Sequence, residues 1–553
     1  MPDERQVADP DPSRARRWVW VLAGAAVVAA GGLGAWWVTA SGASDASAGA
    51  PHFSDETAVA GVEHRYQGGF DFFVGGGVAV FDCDDDVLPE LFFAGGSAPA
   101  ALYRNASAVG GELRFERQSS PVTDLTGVTG AYPVDVDSDD LVDLVVLRNG
   151  SPNEMLRGLG DCRFEAAGDP FRLDADSAWT AAFSATWEGT GELPTLAFGN
   201  YLVDGTTDCA PSELVRPNDA GGYAAPVPFE THCTLSVLFS DWNRAGRRDL
   251  RVANDRHYYL DGGEQLWRID PGREPKLYTE EDGWRQLRIW GMGIASQDLT
   301  GDGRPEVFLT SQGDNKLQAL DDGTDEPAYH DIALDLGVTA QRPVTGGDVL
   351  PSTAWHPQFE DVNNDGYTDL FITKGNVEAQ PDYASRDPND LFIGQSDGTF
   401  ASGSEDAGIV RFERSRGGAV SDLNLDGLVD IVVVNREANV ELWRNVGAGD
   451  ADRPEDMGHW LSVGLRQPPP NVDAVGAWID VRTDGRVASR EVVVGGGHAG
   501  GQLGWTHVGL GEDTSAEVRV QWPDGEVGEW MAVDADRYVT IDRIRDAPVE
   551  LAP

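Results

Sequence analysis

A recurring acidic unit constrains this chain more than any other feature. An apolar residue is followed by D-x-D/N-x-D-G-x-x-D and then by a short apolar run. Copies begin at Asp82 (DCDDDVLPEL), Asp135 (DVDSDDLVDL), Asp241 (DWNRAGRRDL), Asp298 (DLTGDGRPEV), Asp361 (DVNNDGYTDL) and Asp422 (DLNLDGLVDI). An eroded copy at Trp187 (WEGTGELPTL) fills the gap after the second, so successive starts lie 52 to 63 residues apart. Runs such as LFFAGG, LVVLRNG and DIVVVNR are β-rich and bounded by Gly, Asn and Asp. A span of this length holds four strands with their connections. One such unit cannot bury its own faces, and seven close naturally on themselves. The expectation is an all-β chain in which residues 61–456 form a seven-bladed β-propeller.

The spacing carries chemistry. Side chains at positions 1, 3, 5 and 9 of a tight loop converge on one point. A backbone carbonyl near position 7 adds an oxygen, and Gly at position 6 takes the positive φ of the turn. An all-oxygen, partly anionic donor set suits Ca2+ better than zinc or copper. The expected ligands are Asp82, Asp84, Asp86 and Glu90 in the first unit and Asp135, Asp137, Asp139 and Asp143 in the second. The fourth unit offers Asp241, Asn243 and Asp249, with Ala245 at position 5, so its site is weak or empty. The fifth offers Asp298, Thr300, Asp302 and Glu306; the sixth, Asp361, Asn363, Asp365 and Asp369; the seventh, Asn424 with Asp422, Asp426 and Asp430. The third has lost its acids. An Asp- and Gly-rich hairpin turn accounts for one copy, but not for five with oxygen-bearing side chains at all four positions. An EF-hand requires Glu at position 12 between two helices. Here position 12 is Phe93, Val146, Leu309, Ile372 or Val433, and the flanks read as strands.

The formal charge of −50 repels nucleic acid and anionic lipid, so polyanion binding is set aside. Residues 18–40 carry no charge and are long enough for a transmembrane helix, with Trp18, Trp20, Trp36 and Trp37 at its two ends. Arg14, Arg16 and Arg17 precede the run, which keeps residues 1–17 in the cytoplasm and exports the rest. A cleaved signal peptide with a site near Ala46-Ser47-Ala48 is the alternative, giving a secreted protein; the length of the run favours an uncleaved anchor. Residues 41–60 read as a flexible linker. In such a compartment Cys209 and Cys233, which flank a Pro-rich loop, are expected to form a disulfide. Cys83 and Cys162 are either a second pair or buried thiols.

Together the acidic units resemble FG-GAP/VCBS repeats, as in integrin α-chain propellers. The tail from His459 to Ile541 carries HWLSVGL, AVGAWIDVRTDGR, EVVVGGG, HVGLG and VRVQWPDG, and resembles the ASPIC/UnbV domain. The pairing, with phrases such as CTLSVLFSDWNRAGRRDL and WGMGIASQDLTGDG, is similar to the cartilage acidic protein family. The resemblance implies secreted or surface calcium-binding proteins connected with adhesion and matrix interactions, and no defined reaction. Units one and two depart from it at position 6, where Val87 and Asp140 replace Gly. Residues 457–545 are expected to form a small β-sandwich-like domain packed beside the propeller, with strands over 477–483 and 491–494 and a WPDG turn at 522–525, followed by a tail over 546–553.

A catalytic site is harder to find. Gly394-Gln395-Ser396-Asp397-Gly398 matches G-x-S-x-G, but a nucleophile elbow needs a helix after it, and this stretch reads as a β-hairpin. The histidines show no metal-binding spacing, and His257 and His356 read as structural hydrogen bonders. Segments after each acidic-loop strand, at 254–259, 311–316, 374–383 and 435–440, are polar and share one face of a propeller. The sequence therefore points to a surface binding or adhesion module for an extracellular protein or glycan. A polysaccharide-active enzyme on a propeller scaffold, or an accessory protein of envelope or secondary-metabolite assembly, are the alternatives.

Overall fold

The computed structural model describes residues 49–551, apart from 169–172, 174–177, 190, 204, 256–261, 449–456, 484 and 546. The predicted anchor at 18–40 lies outside the described residues. Among the described residues no helix is long and apolar enough to cross a membrane.

The chain is all-β, as its patterning predicts. The described residues form nine four-stranded sheets, seven of them from the repeated units. Each unit begins with a strand buried along its whole length or nearly so, such as Val128–Val134, Thr180–Thr186 or Thr234–Ser240. An acidic loop follows, then a second buried strand, then two more at increasing distance from the centre. The first strands of successive sheets lie side by side from Val78–Phe81 round to Ser415–Ser421, which returns to Val78–Phe81, so the seven sheets form a closed ring. The periodicity is carried by burial: second strands such as Asp430–Asn435 are apolar on both faces because a neighbouring sheet covers each face.

Two boundaries differ from expectation. Phe53–Asp55, inside the predicted flexible linker, pairs with Glu441–Asn445 and supplies the fourth strand of the last sheet. Its Phe53 is buried, and ring closure needs a strand that the seventh unit does not itself contain. At the other end Ala547–Leu551, in the predicted tail, pairs with Arg537–Asp542.

The C-terminal domain consists of two four-stranded sheets sharing one core that includes Leu461, Ile479, Val518 and Val539. The expectation that it packs beside the ring needs correction. Its strand Arg486–Glu491 stops at the first residue of the predicted 491–494 strand, and the following segment enters the middle of the ring. There Val494 pairs with Ala185, Gly495 with Leu238, Gly497 with Ile294, Gly500 with Ala131 and Gln502 with Val80. The His498 amide donates to His356 Nδ1 (3.0 Å), and Gln502 Nε2 reaches Val420 O (3.3 Å). All seven first strands are thus tied to one segment. Close backbone approach explains its composition: a Cβ at Gly77 would sit 1.7 Å from Ala499 O, and one at Gly500 would sit 2.2 Å from Val78 O.

Candidate metal centres and the mouth of the ring

The six acidic loops share one backbone path. Position 6 has positive φ in every copy, including Val87 (75°) and Asp140 (68°), so the departures from Gly leave the turn intact. Position 4 is also left-handed throughout, at Asp85, Ser138, Arg244, Gly301, Asn364 and Leu425, a regularity hidden by six different kinds of local sequence. Position 1 organises the turn through its own carboxylate. Asp361, for example, accepts the amides of Asp365 (3.2 Å) and Gly366 (2.7 Å). Position 5 accepts the amide of position 7, as Asp426 does from Leu428 (3.0 Å).

The predicted ligands come together. One carboxylate oxygen from each of Asp82, Asp84 and Asp86 lies within 4.8 Å of the others, and the same holds for Asp135, Asp137 and Asp143. Asp298 faces Asp302 and Glu306, Asp361 faces Asp365 and Asp369, and Asp422 faces Asp426 and Asp430, each close enough to raise its partners' proton affinity. Burial, then this like-charge crowding, pushes Glu90 and Asp143 up to about 8 and Glu306 to about 7. Among the buried oxygens, Asn424 Oδ1, Asp84 Oδ1 and Asp137 Oδ1 receive no hydrogen bond. Oxygens that ligate a cation are left free of donors in this way, and the donor sets are entirely oxygen, so these residues fit calcium. A further grouping, Cys83 with Glu90 and Cys162, does not, because its two cysteines are joined as a disulfide.

Position 9 has a second role that the spacing conceals. One oxygen of Asp369 accepts the Val362 amide and the other the Gly394 amide, both at 2.8 Å; Asp430 does the same with Leu423 and Asn445, and Asp143 with Val136 and Gly158. The residue clasps the loop to the third strand.

The copies differ electrostatically. In the first, Arg104 reaches Asp84; in the second, Arg157 bridges Asp137 (2.8 Å) and Asp139 (2.6 Å). In the fourth, Arg247 forks onto Asp249 (2.9 and 3.0 Å), placing a fixed cation beside the ligand expected there, while Arg244 reaches Asp480 of the C-terminal domain (2.8 Å). In the eroded third copy Glu188 pairs with Arg216 (2.7 Å). The C-terminal domain rests on the loops: Tyr538 OH donates to Asp422 Oδ2 (2.5 Å), His507 Nε2 meets Asn364 Oδ1 (2.7 Å), and the Asn471 amide donates to Ser138 (3.1 Å).

Both cysteine pairs are disulfides: Cys209–Cys233 as expected, and Cys83–Cys162, which joins the first acidic loop to the second sheet. The G-x-S-x-G string turns from Asp390–Gly394 into Phe400–Ser402 as a hairpin, with Gly398 at φ 83°. His356 is buried, as a structural hydrogen bonder. His257 lies outside the described residues.

At the end of the ring away from the loops is a cavity of about 240 Å³. The polar segments singled out from sequence contribute Asp255, Gln312, Glu378 and Gln380 to its wall, and Phe70, Phe73, Trp290 and Trp355 supply aromatic surface.

The ASPIC and UnbV family profile matches residues 467–547, which include the segment threaded through the ring. Beyond that domain the chain is similar to cartilage acidic proteins. It is 30% identical to mouse cartilage acidic protein 1 over 181 residues, covering 30% of this chain and 24% of that protein. It is 29% identical to the human protein over 159 residues, covering 26% and 21% respectively. The match thus spans about a quarter of the length of these relatives. Among solved structures, a complex of BBS1N with ARL6DN aligns at a TM-score of 0.39 and 11% identity, over 69% of this chain and 94% of that one.

Proposed function

We propose that the ring is a seven-bladed, calcium-stabilised β-propeller, held outside the cytoplasm by the apolar segment at 18–40, and that it serves as a surface module for binding protein or glycan. The observation that carries this reading is the crowding of buried carboxylates in five loops of one geometry. Bringing such groups together without a cation is costly, and a divalent ion turns the repulsion into coordination. Asp82, Asp84, Asp86 and their counterparts would hold it, and calcium would supply a fixed positive centre without chemistry of its own. Loop four, with Arg247 on Asp249, works without an ion. Two disulfides support an oxidising compartment.

Thermal melting with chelator, calcium and magnesium tests the reading. Extracellular calcium modules bind at about 10⁻⁴ to 10⁻³ M, and an ion at ~100-fold excess over its dissociation constant adds roughly 2.7 kcal/mol per site. Calcium, more than magnesium, is expected to raise the melting temperature after chelation. A melting curve indifferent to both contradicts the proposal. Digestion of the propeller by protease added to intact cells tests the topology.

A further inference from the structure

The residues lining the mouth cavity include none from the C-terminal domain. First strands enter there, so the segments before them and after the second strands converge on it from several sheets. Its floor is fixed. Trp355 is fully buried, packs on His498 from the threaded segment (5.0 Å between rings), and lies 4.1 Å from the guanidinium of Arg416. At its rim Phe70 is 57% exposed among the described residues, beside buried Phe73 (4.8 Å between rings).

The charged side chains of the wall already have partners. Glu378 is ion-paired with Arg436, and Asp255 accepts the Tyr201 hydroxyl (2.7 Å). Arg416 is fully buried and donates to the carbonyls of Phe73 (2.8 Å), Ser415 (2.9 Å) and Val377 (2.7 Å). A strongly anionic or cationic ligand would have to break these pairings. A neutral one would not. Aromatic faces next to planar amides and carboxylates match a ring with an apolar C–H face and an edge of hydroxyls, since each amide or carboxylate offers two polar atoms spaced for neighbouring hydroxyls. Gln312 and Gln380, already in contact through Nε2 and Oε1 (2.5 Å), stand at the rim to do this. The volume admits a small ligand or one terminal unit of a longer one.

We infer that the mouth of the ring binds a single neutral saccharide unit, held against Phe70 and Trp290 and hydrogen-bonded by Gln312, Gln380 and Asp255. The inference rests on the reading of the ring as a binding module, and gives that module its ligand class.

The test uses the full chain, saturated with calcium, and titrates methyl glycosides of neutral hexoses and N-acetylhexosamines at millimolar concentration, by calorimetry or ligand-observed NMR. Binding is expected with at least one glycoside, and to weaken about tenfold or more in Phe70→Ala and in Gln380→Ala while the melting temperature stays unchanged. Binding that survives both substitutions overturns the mouth as the site. Absence of binding to every glycoside overturns the saccharide class. A protein or peptide ligand that binds and is lost with Phe70→Ala would overturn the saccharide and leave the binding module standing. The calcium response of the melting curve, measured on the same samples, reports separately on the propeller reading.

Discussion

On one face of the ring the connections between first and second strands carry the acidic loops, and the C-terminal domain lies over them, bonded to Asp422, Asn364, Ser138 and Arg244. On the other face the connections are of different lengths and compositions, Phe70 stands in solvent, and a cavity is open. Both faces are built from the same strands. The difference is that the loop face must place buried charge and dock a second domain, which leaves little freedom of sequence. The mouth face only has to connect strands, so its side chains are free to serve a ligand.

The largest effect in this comparison is expected from the threaded segment, which links the two faces. A side chain at Gly500 must displace the backbone of Val78, and no side-chain rotation relieves that clash. Gly500→Val should cost about 3 kcal/mol or more and either unfold the chain or release the C-terminal domain, visible as a second melting transition or as new protease cleavage between 457 and 494. A single unchanged transition would show that the segment is not the axis of the molecule.

Next in size is the contrast between ligand and clasp within one loop. Asp365→Ala removes a proposed ligand that makes a short bond to the Tyr367 amide; Asp369→Ala also removes the clasp on Val362 and Gly394. With calcium both variants should melt lower. After chelation Asp365→Ala should lie close to the parent chain, because relief of its repulsion with Asp361 and Asp369 offsets the lost bond to the Tyr367 amide, whereas Asp369→Ala should stay lower by about 1–3 kcal/mol for two unpaired buried amides. Equal behaviour of the two variants after chelation would refute the division of roles.

The pH dependence follows from the same carboxylates. In the ion-free fold, burial and then neighbouring acids hold Glu90 and Asp143 near 8, against an ordinary value near 4 in the unfolded chain. The folded state therefore retains protons that the unfolded state releases, and stability falls as pH rises from about 4 to about 8. With calcium the order reverses, since protonation competes with the ion. The calcium-induced gain in melting temperature should grow steadily from pH 5 to pH 8. A gain that is flat or that shrinks over this range would mean that these acids do not hold the ion.

The loop face was far more legible in the sequence than the mouth. Positions 1, 3, 5 and 9 are fixed by a local turn, so spacing alone locates them. The left-handed position 4 was invisible because Asp85, Ser138, Arg244 and Leu425 have no chemistry in common; the neighbouring hydrogen bonds impose the conformation. The clasp at position 9 was hidden because its partners, such as Asn445 for Asp430, lie a strand away. Phe53–Asp55 reads as linker because its partner strand is almost 400 residues distant, and the role of GGGHAGG is not legible because its contacts are with seven strands, none of them local. The aromatic residues Phe70, Phe73, Trp290 and Trp355 of the mouth come from three separate units, and no window of sequence collects them.

The smallest expected effect lies at position 6, where two copies depart from Gly. Val87 holds φ 75°, a conformation that costs a β-branched residue about 1–2 kcal/mol. Val87→Gly removes that strain and adds backbone freedom to the unfolded chain worth about 0.4–1 kcal/mol. It also gives up the contacts of a half-buried side chain, so the net gain should be a few tenths of a kcal/mol. Asp140 adopts the same turn at φ 68° but belongs to a residue type that tolerates it, and its carboxylate pairs with Arg466 of the C-terminal domain (2.6 Å). Asp140→Gly should therefore bring no gain and a slight loss. Melting temperatures at saturating calcium distinguish the two. If Val87→Gly melts lower than the parent, the valine contributes more through packing at the loop face than its backbone costs.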